Sequence, residues 1–124
     1  MKQLETDVVV IGTGASGLAA ALTAVEGSAK VIVFEEKRVY GGISKMGMEI
    51  FAVESKLQRQ NNIPFTRDEA FKIFMEHTHW RTDARLVRAF INKTASTIEW
   101  LQQLGVEFEI QPFFLYPDSR ILSL

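Results

Sequence analysis

VVVIGTGASG, residues 8–17, sets four β-branched residues directly before three glycines within six positions. Stiff, branched side chains favour a pleated strand, and an apolar run this short, ended by glycine, reads as a buried parallel strand over Asp7 to Ile11. From Ala15 the texture changes to strong helix formers. Leu18, Ala21, Leu22 and Val25 recur at helical spacing, and Gly27 is placed to end that helix in the left-handed conformation. KVIVF, residues 30–34, is a second apolar run closed by Glu35, Glu36 and Lys37. Strand, helix and strand within about 30 residues make a βαβ unit, whose crossover is right-handed in nearly all known cases.

Gly12, Gly14 and Gly17 form G-x-G-x-x-G. In a dinucleotide site the first glycine allows the tight turn off the strand, the second lets a pyrophosphate approach the backbone, and the third lets helix and strand pack closely. The helix that follows offers unpaired N–H groups and the positive end of its dipole to phosphate. A motif this short also describes any glycine-rich turn, so its context decides. Here it follows a strand, opens a helix, and precedes a second strand ending in Glu35, 23 positions after Gly12. A carboxylate there accepts from ribose hydroxyls and repels a ribose 2′-phosphate. Glu36 and Lys37 complete the strand-end group of candidates, although such charges more often serve as a solvated surface.

Beyond the βαβ unit, residues 38–65 read mostly as loop, with a Gly41-Gly42 pair and a short helix near Ile50 to Gln58. Thr66 with Glu69 three positions on fits a capping box, predicting a helix with Ala70, Phe71, Phe74 and Met75 on one face. Asp83 is the predicted cap of a longer helix bearing Val87, Phe90, Ile91, Ile98 and Leu101, ended by Gly105. Val106, Phe108 and Ile110 alternate with Glu107 and Glu109, predicting a half-exposed strand at 106–110. Residues after 110, with Pro112 and Pro117, predict no element.

The bulk numbers bound the rest. A chain of 124 residues accommodates about one domain. Hydrophobic residues at 47% and charged residues at 23% are ordinary globular values. A formal net charge of −1 supplies no field to gather nucleic acid or anionic lipid. With no cysteine there is neither a disulfide framework nor a thiolate, which fits a reducing cytoplasm. Val8 to Val25 is uncharged, but Lys2 is offset by Glu5 and Asp7 and three glycines dilute the run, against a targeting or membrane segment. His77, His79 and Trp80 invite a metal reading, yet positions two apart on a helix diverge by about 200° and no third ligand is evident. The aromatic residues Phe65, Phe71, Phe74, Phe90, Trp100 and Phe108 read as core or domain interface, and Arg81, Arg85 and Arg88 as a solvated face.

The run DVVVIGTGASGLAAALTAVEGSAKVIVFEEK (7–37), then Gly41-Gly42 and Ser44-Lys45, resembles the start of the flavoprotein subunits of the fumarate reductase and succinate dehydrogenase family. The likeness continues through HWRTDARLVRAFINKTASTIEWLQQLGVEF (79–108), similar to a helix-rich stretch of those proteins, and favours the soluble members, flavocytochrome c type fumarate reductases and ketosteroid dehydrogenases. The resemblance implies FAD as cofactor: Gly12, Gly14, Ala15, Ser16 and Gly17 at the pyrophosphate, Glu35 (with Glu36 and Lys37 beside it) at the adenosine ribose, and Gly41, Gly42 and Ser44 toward the flavin. Membrane-bound members carry a histidine just after the serine of this loop and tether the flavin through it. Lys45 stands there instead, implying noncovalent FAD. The family's catalytic residues lie in later parts of much longer chains, so none is assigned here.

The expectation is an α/β chain holding a partial Rossmann-like FAD-binding domain plus a helical segment. It forms a single incomplete domain over 1–124, with the βαβ unit and cofactor loop in 1–45 and a mainly helical part in 46–124. The function implied is the N-terminal FAD-binding part of a flavin-dependent oxidoreductase that moves hydride at a carbon–carbon double bond. Two alternatives stand beside it: a non-enzymatic, self-associating remnant, since a sheet with missing neighbours invites pairing, and an NAD(P)-binding fragment. A homo-oligomer, or association with the remainder of a flavoprotein, is the expected assembly.

Overall fold

The computed structural model describes residues 3–47, 50–112 and 122–123. The chain divides into two compact units, Met1–Met48 and Glu49–Leu124.

In the first unit, β1 (Val8–Ile11) leads through the glycine turn into α1 (Ala15–Glu26), which returns the chain to β2 (Val31–Phe34). The two strands pair in parallel, Val8 with Val31 through Ile11 with Phe34. Side chains secure the start of the ladder: the Lys30 N–H donates to Asp7 Oδ2 at 2.8 Å, and the Thr6 hydroxyl donates to the Lys30 carbonyl at 2.7 Å. At the other end the Gly12 N–H donates to the Phe34 carbonyl at 2.7 Å, so pairing persists into the turn. After β2 the chain crosses to a one-turn 3₁₀ segment, Gly42–Met46.

The expected burial of β1 is corrected. Val9 and Ile11 are 54% and 87% exposed, because α1 can cover one face of a two-stranded sheet and nothing among the described residues of this unit covers the other. Of the apolar stripe on α1 only Ala21 is buried. The helix end also differs from expectation: Gly27 has φ −76°, and Ser28 takes the left-handed conformation at φ 65°. The reason is the register of the end motif, in which the Ala29 N–H reaches the Ala24 carbonyl and the Ser28 N–H the Val25 carbonyl. The same paired bonds close the three helices of the second unit, with Asn62, His79 and Gly105 as their left-handed residues.

The second unit is built on α2 (Lys56–Gln60), α3 (Arg67–His77) and α4 (Ala84–Gln103). Ser55 and Thr66 each form a capping box, with Gln58 and Glu69 respectively, and Asp83 caps α4 by accepting from the Arg85 N–H. Val53, Phe65, Ala70, Met75, Val87 and Ile91 make one apolar cluster, and Ala95 and Ile98 are buried further along α4. Two buried polar side chains are paired within this unit: the Thr94 hydroxyl accepts from the Val53 N–H and donates to the Ile91 carbonyl, and the Gln58 amide donates to the Ala52 carbonyl. Phe90, expected in the core or at a domain interface, is 52% exposed and stacks on Phe51 with ring centroids 6.4 Å apart.

The predicted strand at 106–110 is corrected: those residues form no ladder. Alternation marks a side able to be buried, but a strand also needs a neighbour to bond with. The pairing lies just beyond, where β3 (Gln111–Pro112) runs antiparallel to β4 (Leu122–Ser123), in a stretch with no predicted element.

Two substitutions separate the units energetically. Ile91→Ala empties a site only 1% exposed and is expected to cost about 2–5 kcal/mol by urea denaturation. Gly17→Ala sets a Cβ 2.1 Å from the Gly12 carbonyl oxygen, a backbone overlap expected to cost about 2 kcal/mol or more in the same measurement. A Gly17→Ala chain as stable as the parent contradicts the close helix–turn contact.

Candidate cofactor site at the glycine turn

The three glycines do three different things. Gly12 has φ +94°, a conformation that a side chain resists. Gly17 is held against the Gly12 carbonyl, where a Cβ has no room. Gly14 satisfies neither condition: its φ is −65°, and a Cβ built on it meets nothing within 4 Å. The chain itself makes no demand for glycine at position 14, and the face there lies open.

Gly14 is also the N-cap of α1 and supplies no side-chain cap. The first amide, Ala15 N–H, donates to Ser44 Oγ at 2.9 Å. Among the described residues the next two, of Ser16 and Gly17, carry no hydrogen bond. Free amides at a helix start, beside a backbone stripped of side chains, make a site for an anion.

Glu35 lies alongside. Its Oε2 accepts from the Thr13 N–H at 2.9 Å and from the Thr13 hydroxyl, while Oε1 accepts from the Lys37 N–H at 2.9 Å. The Thr13 hydroxyl first, then the Lys37 and Thr13 amides, lower the carboxyl from its ordinary 4.5 to about 2. The acid is an anion throughout the neutral range and an acceptor only.

The 41–44 loop closes on the same turn. The Gly41 N–H donates to the Thr13 carbonyl at 3.0 Å and to the Thr13 hydroxyl at 3.1 Å. Gly42, at φ +54°, runs so close to Gly14 that a Cβ on it would stand 3.3 Å from the Gly14 Cα. Thus Gly12, Gly14, Ala15, Gly17, Glu35, Gly41, Gly42 and Ser44 come together, with Ser16 exposed in the first turn of α1. Lys37 joins through its main-chain N–H, and the residues Glu36 and Lys37 are otherwise exposed. Thr13, buried at the centre, is the member that sequence reasoning passed over. Its signal was its place between the first two glycines, where a hydroxyl is too near the turn to face solvent.

Elsewhere, His77 ends α3 while His79 lies past it at φ 51°, and the described residues contain no group of three or more His, Cys, Asp or Glu able to hold a metal. Arg88 lies 4.0 Å over the Phe71 ring and pairs with Asp68 at 2.7 Å, an ion pair on the surface of the helical unit rather than an anion site. No helix among the described residues is long and apolar enough to cross a membrane.

Comparison with known proteins agrees with this geometry. Residues 7–114 match the FAD binding domain family. The chain is 40% identical over 103 residues to the vinyl phenol reductase of Lactiplantibacillus plantarum, covering 83% of this chain and 21% of that protein. It is 32% identical over 101 residues to the NADH:fumarate oxidoreductase of Klebsiella pneumoniae, covering 81% and 11%. In fold it follows the open conformation of a flavocytochrome c3 fumarate reductase with a TM-score of 0.81 at 23% identity, over 95% of this chain and 21% of that one. The chain therefore spans about a fifth or less of these relatives. A two-stranded parallel sheet with its crossover helix is the start of their Rossmann-like fold. Residues 7–114 and the open turn they build make this chain a member of the FAD-binding domain family of flavin-dependent oxidoreductases related to fumarate reductase.

Proposed function

We propose that the chain binds FAD noncovalently at the glycine turn, as the FAD-binding part of an oxidoreductase that moves hydride to or from a carbon–carbon double bond. The observation that carries this reading is Gly14, a glycine whose Cβ position is open space, at a helix start with free amides. The diphosphate would lie over Gly12, Gly14, Ala15, Ser16 and Gly17, where main-chain donors meet it without side-chain interference. Glu35 would accept from the adenosine ribose, and Gly41, Gly42 and Ser44 would carry the cofactor toward its flavin end. Lys37 contributes the main-chain N–H that holds Glu35, and Glu36 lies beside it at the strand end. When bound, FAD supplies the redox chemistry, while this part of the protein supplies binding and orientation. The reaction class comes from relatives named for the reduction of fumarate and of vinyl phenols. No catalytic acid or base is assigned within 1–124. Lys45, exposed beside Ser44, offers no imidazole for a flavin tether. A cytoplasmic location is proposed with this reading, on the absence of cysteine.

A second reading concerns assembly. Val9, Ile11, Val33 and Phe34 leave an apolar sheet exposed, and both strands lack an outer neighbour among the described residues of their unit. Such edges and faces favour association, with a second copy or with further flavoprotein sequence. Light scattering is expected to give a species heavier than the 14.0 kDa chain, and a monodisperse monomer contradicts self-association.

Titration of the purified protein with FAD is expected to give a saturable change in flavin absorbance. Gly14→Ala is expected to weaken that binding about tenfold or more, and Gly14→Glu to abolish it, while Gly14→Ala shifts unfolding by no more than about 1 kcal/mol. Equal binding by all three chains would contradict the proposed site. Glu35 adds a pH signature. Its folded pKa lies below its unfolded value, so its stabilising effect is complete above about pH 4.5 and is lost as pH falls toward 2. The melting temperature of the parent minus that of Glu35→Gln is expected to be constant between pH 8 and 5 and to shrink below pH 4.5. A difference that persists unchanged to pH 2 contradicts the depressed carboxyl.

A further inference from the structure

Thr13 is 8% exposed, and every polar atom it owns is engaged. Its hydroxyl has a fixed direction. The Gly41 N–H can only donate, so Thr13 Oγ1 accepts from it at 3.1 Å. The hydroxyl proton is then left for Glu35 Oε2, which as a carboxylate can only accept. The Thr13 N–H reaches the same oxygen at 2.9 Å, and the Thr13 carbonyl takes a second share of the Gly41 N–H at 3.0 Å. One residue therefore joins the glycine turn, the acid that ends β2, and the loop that begins at Gly41. Among the side-chain hydrogen bonds of the described residues, only those of Thr13 join all three.

We propose that Thr13 is a positioning residue for recognition of an adenosine ribose: its hydroxyl, set by the Gly41 N–H, aims the Glu35 carboxylate so that the acid meets the ribose hydroxyls of a bound adenine nucleotide. The inference rests on the proposed site. It goes beyond that site by giving the grip on the sugar to a residue outside the glycine positions and outside the acid itself. Valine at position 13 has the same shape and keeps the main-chain bonds, but leaves Glu35 with one restraint fewer and the Gly41 N–H without a side-chain acceptor. Serine keeps the relay.

The test uses the full chain and two probes, ADP and 2′,3′-dideoxy-ADP, titrated calorimetrically. The parent is expected to bind ADP roughly tenfold more tightly, the value of a charge-assisted hydrogen bond to a hydroxyl. In Thr13→Val that ratio is expected to fall below about threefold, with affinity for the dideoxy nucleotide nearly unchanged, and Thr13→Ser is expected to restore it. A merely structural threonine would weaken both probes equally, and that result overturns the inference. A parental ratio retained in Thr13→Val overturns it as well. Should Thr13→Val lose its circular dichroism signature, Thr13→Ala carries the same comparison, and failure of both to fold shows the residue to be structural. A parent that binds neither probe instead removes the proposed site, and this inference with it, a result distinct from any change in ratio.

Discussion

The contact between Gly17 and the Gly12 carbonyl is the constraint on which the first unit depends. Helix α1 lies close to the end of β1 only because position 17 has no Cβ. That closeness brings the helix start beside the turn rather than past it, so that free amides, open backbone and the end of β2 share one small surface. Widen the contact by the diameter of a methyl group, and the helix dipole, Glu35 and the 41–44 loop no longer converge. A glycine inside a helix is ordinarily a weakness; here the geometry needs it.

Electrostatics then works with that geometry. A carboxylate placed near a site for phosphate is normally an antagonist, since like charges repel. In the proposed site the two roles are separate: Glu35 is held by Thr13 and Lys37 at the edge of the turn, while the amides of Ser16 and Gly17 would serve the anion. A ligand carrying both a diphosphate and a sugar diol satisfies both ends, which an inorganic anion does not.

The βαβ unit and the 12–17 turn were legible because stiffness, helix propensity and glycine spacing all point the same way in VVVIGTGASG. The capping boxes and the Asp83 cap were legible for a similar local reason. What escaped depends on partners distant in sequence. Burial of Val9 and Ile11 was misjudged since apolar character fixes what a strand is able to bury, not whether a covering layer exists. Residues 106–110 carry strand-like alternation without a neighbouring strand. The left-handed residue that closes α1 is a separate, local case: it fell one position past Gly27, at Ser28, because carbonyl bonding sets the register of the helix end. Thr13 stayed hidden since its importance arises from Glu35 and Gly41, 22 and 28 positions away.

Gly14 and Gly17 look alike in the motif but differ in how a cell would experience their loss. A side chain at position 17 disturbs packing, and a chain that unfolds more often is exposed to chaperones and proteases. A methyl group at position 14 meets only open space. On the proposed reading such a chain would pass the same surveillance intact, accumulate to normal levels and hold its cofactor poorly. The lesion would be invisible to any screen that reads abundance.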